Sequence, residues 1–274
     1  MQRKTESEIR LYKNRLRTKA LMLELGRRTA SPTPQKFAYW FDKTIKERRP
    51  HLNVDTAESN RWRPSFNGKS ALQSSQLELL QELFSDAIEF YQNGPSGMWI
   101  ALWGDIEVLK PLCKTHLEDD AHYIQDEKID WSNHPNQTLS LKESINKFIE
   151  IADFEIHLDD GIALEFLSEA IALHRLQVHA AINNYSTTNN IELYRIIFRL
   201  INNTTTSRNL TELGILNEIK EETALLEIRP LTKIPTYWEK AGFLRRPSAE
   251  QAKVYSLNPI EWWFNEGIQF SGGV

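Results

Sequence analysis

Residues 33–49 run Thr33-Pro34-Gln35-Lys36-Phe37-Ala38-Tyr39-Trp40-Phe41-Asp42-Lys43-Thr44-Ile45-Lys46-Glu47-Arg48-Arg49, and Pro50 follows. Phe37, Trp40, Phe41 and Ile45 recur at i, i+3, i+4 and i+8, which is the period of one helix face and not the alternation of a strand. Thr33 offers a side-chain oxygen to the first free backbone N–H groups, and Pro34 suits the first turn, where its missing N–H costs nothing. Arg48-Arg49-Pro50 ends the segment. Trp40, like Trp62 further on, reads as core packing rather than as a platform for stacking bases.

Helical periodicity continues on both sides. Residues 5–29 read as one helix, with Ile9, Leu11, Leu16, Leu21, Leu23 and Leu25 as apolar positions and Ser31-Pro32 as its stop. Leu72 to Tyr91 carries Leu77, Leu80, Leu83, Phe84, Ile88 and Tyr91 on one stripe, and Asn93-Gly94-Pro95-Ser96-Gly97 breaks it. Residues 98–110, with Trp99 and Trp103, form a short buried helix or strand; periodicity does not choose between them. Helices are expected at 139–158, 162–183 and 191–202, a short one at Leu210 to Ile219, and another at about 234–241. Residues 243–247 and 253–259 read as two strands around a polar turn. The polar run 183–190 divides a first region at 1–185 from a second at 190–270. The expected class is mainly α, with a two-stranded element near the C-terminus.

The chain has 274 residues, 41% hydrophobic and 26% charged, a composition that folds rather than staying disordered. No apolar run approaches the ~18 residues of a membrane span, and no apolar stretch follows the basic N-terminus as in a secretory signal. Cys113 is the sole cysteine, so the chain forms no internal disulfide, and a reducing cytoplasm is the expected compartment. Following Leu112, it reads as buried and inert. The net charge of −4 conceals an asymmetry. Residues 1–70 hold 17 Lys and Arg against 7 Asp and Glu, net +10, whereas residues 71–274 are net −14. A basic first quarter on an acidic body is a charge pattern that nucleic-acid binders show. A basic helix docked on the chain's own acidic body would show it too.

Residues 54–63 carry the most chemistry. Val54-Asp55-Thr56-Ala57-Glu58-Ser59-Asn60-Arg61-Trp62-Arg63 resembles the turn and recognition helix of lambda-repressor-like helix-turn-helix regulators, the resemblance covering about residues 34–90. It implies that Val54 is the buried turn residue and that Glu58, Asn60 and Arg61 face the major groove. It further implies that Trp62 packs back onto the domain, and that Arg63 and Lys69 contact phosphates. Arginine and asparagine are the side chains that bond guanine and adenine edges in pairs, and surrounding cations supply most of the affinity. Arg10, Lys13, Arg15 and Arg17 on the first helix are the expected phosphate anchors.

Residues 190–264 resemble a winged-helix domain. Tyr237-Trp238-Glu239-Lys240-Ala241-Gly242-Phe243-Leu244 looks like its third helix running into a strand, and Lys253-Val254-Tyr255-Ser256-Leu257-Asn258-Pro259 like the returning wing strand. Lys240, Arg245, Arg246 and Lys253 would be secondary contacts to DNA or to a partner.

No catalytic motif is present: there is no glycine-rich phosphate loop, nucleophile elbow or His-Glu-x-x-His. His116-Leu117-Glu118-Asp119-Asp120-Ala121-His122 is the most metal-like cluster, but its spacing brings only pairs onto one helix face, and a metal needs three or four ligands. Glu165, Glu169 and His174 spread round a helix. The sequence therefore predicts a double-stranded DNA-binding protein without cofactor or metal, a regulator or mobile-element accessory factor. The alternatives are a non-catalytic interaction subunit with a protein partner or a second copy of itself, and a metal-dependent hydrolase centred on His116 to His122.

Overall fold

The computed structural model describes residues 5–52, 54–113, 141–158, 164–182 and 191–233. Among these residues every regular element is a helix, α or short 3-10. The chain forms two compact units, one of residues 1–94 with 209–216, the other of residues 95–208 with 217–274. The mainly α class is thus observed. The segments expected as a helix at 234–241 and as two wing strands lie outside the described residues, as do Lys240, Arg245, Arg246, Lys253 and the His116–His122 cluster. No described helix is long and apolar enough to cross a membrane.

The first unit is built round α1 (Glu6–Arg28). Thr5 and Glu8 cap its start reciprocally, each side chain taking the other's backbone N–H, so two otherwise unpaired donors are satisfied. Its first two turns are exposed, but from Leu16 onward nearly every face is buried, through Leu21, Met22, Leu25 and Gly26. Gly26 marks a close approach to backbone: a Cβ there would lie 2.9 Å from the Ser31 carbonyl and 3.2 Å from the Phe66 ring.

Against this axis packs α2 (Pro34–Arg48), capped by Thr33 as expected. Its aromatic face is the core. Phe37 meets Trp62 and Phe66 edge-on at centroid distances of 5.7 and 5.5 Å, Phe41 lies 5.0 Å from Trp62, and Trp40 tilts against Phe84 at 5.5 Å. Complete burial of rings such as Phe37, Phe41 and Trp62 contributes on the order of 2–3 kcal/mol each.

Three segments depart from the sequence reading. The short polar helix expected within 54–63 is not formed: residues 56–62 are a turn, and only the four-residue α3 (Arg63–Phe66) follows. Asp42, 14 residues earlier, ties the Thr56 and Ala57 N–H groups to α2, and Asn60 adopts φ +50, which a right-handed helix does not allow. The single helix expected from Leu72 to Tyr91 is two, α4 (Ser74–Leu83) and α5 (Ala87–Asn93). The Gln81 side chain joins them by donating to the Ser85 carbonyl and accepting the Ile88 N–H, which satisfies two of the backbone groups that the break frees. The short helix expected over 210–219 is likewise replaced, by the end of α10 (Thr204–Glu212) and the start of α11 (Leu216–Lys233). Gly214 lies between them at φ +66, a conformation that residues with side chains rarely adopt, and a Cβ there would also press on the ends of the Leu23 (2.7 Å) and Lys19 (2.9 Å) side chains.

The second unit surrounds α8 (Leu164–Ile182), whose residues 167–174 are all buried. Around it lie α6 (Met98–Trp103), α7 (Leu141–Leu158) and α9 (Ile191–Asn202). The ambiguous segment 98–110 is therefore helical, α6 passing into a 3-10 turn at Ile106–Val108. Arg175 of α8 donates to the carbonyls of Ala101 and Gly104 at 2.8 and 2.6 Å, satisfying acceptors that the end of α6 leaves open and opposing its negative dipole end.

Candidate nucleic-acid interface

The turn at 56–62 is fixed to α2 through one carboxylate. Asp42 accepts the Thr56 N–H at 2.8 Å, the Ala57 N–H at 3.0 Å and the Thr56 hydroxyl at 2.6 Å. Thr56 Oγ1 in turn accepts the indole N–H of buried Trp62 at 2.9 Å. Asp55 closes the turn from inside by accepting the Glu58 N–H at 2.9 Å. Val54 is half-buried against the core and Trp62 is fully buried, whereas Glu58, Ser59, Asn60, Arg61 and Arg63 are exposed. An exposed tip on a buried, hydrogen-bonded base presents its side chains from a fixed backbone, which limits the entropy lost when they engage a ligand.

The loop after α3 folds back on it. The N–H of Lys69 donates to the Pro64 carbonyl at 2.8 Å, which brings the Lys69 backbone back to the start of α3. Gly68 rests on the aliphatic stem of Lys19, and Leu72 N–H donates to Thr18 at 3.0 Å. Arg15 precedes Lys19 by one helical turn on the same face of α1. Arg15, Arg61, Arg63 and Lys69 are all exposed, and the loop that carries Lys69 packs on the α1 face to which Arg15 belongs. Arg10, Lys13 and Arg17 share a different α1 face, that of Arg28, whose guanidinium grips Asp86 at 2.7 Å. Arg17 is half-buried, and burial pulls its guanidinium down from its ordinary value although Tyr91 opposes the shift. On α1, then, Arg10, Lys13 and Arg17 lie on a different face from Arg15.

Cations of this unit divide by what they touch. Glu24 holds Arg27 and Arg28 at 2.8 and 2.7 Å, and Glu82 holds Arg49 at 2.6 Å. Arg48 donates to the Glu82 carbonyl. Arg10, Arg15, Lys36, Lys43, Lys46, Arg61, Arg63 and Lys69 are exposed and make no ion pair with a described residue.

Sequence reasoning missed Lys36, Tyr39, Lys43 and Lys46, which line the outer face of α2 opposite its aromatic core. All four are exposed, Tyr39 at 61%. Their spacing of i, i+3, i+7 and i+10 was a legible signal, overshadowed by the apolar face of the same helix.

Other chemistry is sparse. Among the described residues no three His, Cys, Asp or Glu side chains could hold a metal together. Cys113 is buried, and burial followed by the charge of Glu169 pushes its thiol up, away from the thiolate that reacts. Glu169 and His174 are both buried on α8, whereas Glu165 is exposed. No family model, no curated protein and no solved structure matches the chain.

Proposed function

We propose that this chain binds double-stranded DNA as a non-catalytic factor, a regulator or an accessory protein, with its first unit as the contact surface. The carrying observation is the turn fixed on Asp42 that leaves Arg61 and Arg63 exposed and without an ion pair to any described residue, with Lys69 and Arg15 exposed in the same unit. Such cations release counterions from the phosphate backbone, and this term supplies most non-specific affinity. Base reading falls to Asn60 and Arg61 at the tip of the turn. With four residues, α3 is too short to lay successive turns into a major groove, so this reading carries modest sequence preference and a strong salt dependence. Fluorescence anisotropy with a labelled duplex over a salt series tests it. Binding that weakens steeply with salt supports it, and no binding at low salt defeats it.

The second reading is an interaction subunit. It is favoured by Phe154, 62% exposed on α7, and by the acidic excess of residues 71–274. A stoichiometric protein complex that survives nuclease treatment would favour it over DNA binding.

A further inference from the structure

We infer that the outer face of α2 is a separate site for single-stranded nucleic acid, with an unpaired base on Tyr39 and its flanking phosphates on Lys36, Lys43 and Lys46. Three observations carry this. The four side chains occupy one face of a regular helix and are all exposed. At a rise of about 1.5 Å per residue the stripe extends ~15 Å, the length of a few nucleotides. The lysines make no ion pair with a described residue, although Arg28, Arg48 and Arg49 of the same unit are tied to Asp86 or Glu82. Asp42, on one flank of the stripe, already accepts three hydrogen bonds from the turn. Glu47 is the acidic residue bordering the stripe.

An exposed tyrosine is ordinary by itself. Enclosed by lysines it offers the pairing that single-strand binders use, cations along the backbone and an aromatic face for a base. A duplex covers its base faces by stacking, so the ring selects a strand whose bases are open. The site goes beyond duplex contact by the Arg61 turn and does not depend on it.

The test uses the full chain and a fluorescein-labelled oligodeoxythymidine of about 12 nucleotides, with anisotropy as the readout. The expected results are binding that falls with salt and Tyr39→Ala weaker by roughly 5- to 100-fold, since stacking on one aromatic has that range. Tyr39→Phe keeps the ring face and binds within about twofold of the parent, and Lys43→Gln reduces the salt slope by about one. Because Tyr39 and Lys43 are exposed, unchanged far-ultraviolet circular dichroism is expected of each variant. Equal binding by Tyr39→Ala and the parent overturns the inference, as does absence of single-strand binding. Displacement by oligoglutamate as effective as by unlabelled oligonucleotide also overturns it and assigns the stripe to an acidic protein. Loss of duplex binding in Arg61→Ala with single-strand binding intact leaves this site standing, and the converse result defeats it alone.

Discussion

Trp62 is held by Thr56, whose hydroxyl oxygen accepts the buried indole N–H at 2.9 Å. The same hydroxyl gives its own proton to Asp42, so one threonine links the core tryptophan to the carboxylate that anchors the exposed turn. Valine at this position keeps the shape and removes both bonds. Thr56→Val strands a buried indole donor and one lone pair of Asp42, and the loss of a buried partner costs about 1–3 kcal/mol. Denaturant unfolding followed by tryptophan fluorescence should show a lower midpoint with an unchanged slope. An unchanged midpoint would mean that the turn is not anchored through this residue.

Arg61 and Arg28 are both arginines of the first unit with opposite situations. Arg61 is exposed on the turn, whereas Arg28 bonds Glu24 and Asp86. Arg61→Ala should therefore weaken duplex binding by about 1–3 kcal/mol with little effect on unfolding. Arg28→Ala should lower stability and leave the salt slope of binding unchanged. Measuring both quantities for both variants separates the roles, and identical effects of the two substitutions would remove the distinction drawn between paired and unpaired cations.

The helices were legible because their apolar periods are long and their caps are local. Thr33 with Pro34, and Phe37 with Phe41, specify α2 without reference to the rest of the chain. Residues 56–62 were not legible because their conformation depends on Asp42, distant in sequence, which ties the Thr56 and Ala57 N–H groups to α2. The break within Leu72 to Tyr91 was hidden for a similar reason: Gln81 reads as a helical surface residue, and its bonds to Ser85 and Ile88 exist only after the chain has turned. At the candidate interface, positive charge was legible but pairing was not. Arg10 and Arg15 look equivalent in sequence, and α1 geometry sends them to different faces. The lysine stripe on α2 was readable from spacing, yet the exposure of Tyr39 came only with the orientation of the helix against its core.

Cys113 gives a probe of the second unit that is independent of any ligand. Its side chain is fully buried, and its Sγ lies 3.6 Å from the Leu109 carbonyl. Burial pushes the thiol up, with the Glu169 charge acting in the same direction. A thiol-specific disulfide reagent should therefore leave Cys113 untouched in the native protein at neutral pH and label it stoichiometrically in denaturant. Fast labelling of the native protein would show that this part of the unit opens readily.

Glu24 ties acid stability to the end of α1. Burial alone would raise its pKa, but the hydrogen bonds and charges of Arg27 and Arg28 outweigh that cost and hold the carboxyl below its ordinary value of 4.5. A carboxylate depressed on folding contributes stability that is fully present above its unfolded pKa and is lost as pH falls through its folded pKa. The window thus opens near pH 4.5 and extends downward. Glu24→Gln removes the titration and weakens the grip on both arginines, so it should be less stable than the parent at neutral pH by a margin that stays constant down to about pH 5. Below that the parent should lose stability faster, and the two unfolding curves should converge. Parallel curves through the acid range would show that Glu24 has the same pKa in the folded and unfolded chain, and that its bonds to Arg27 and Arg28 contribute nothing to acid stability.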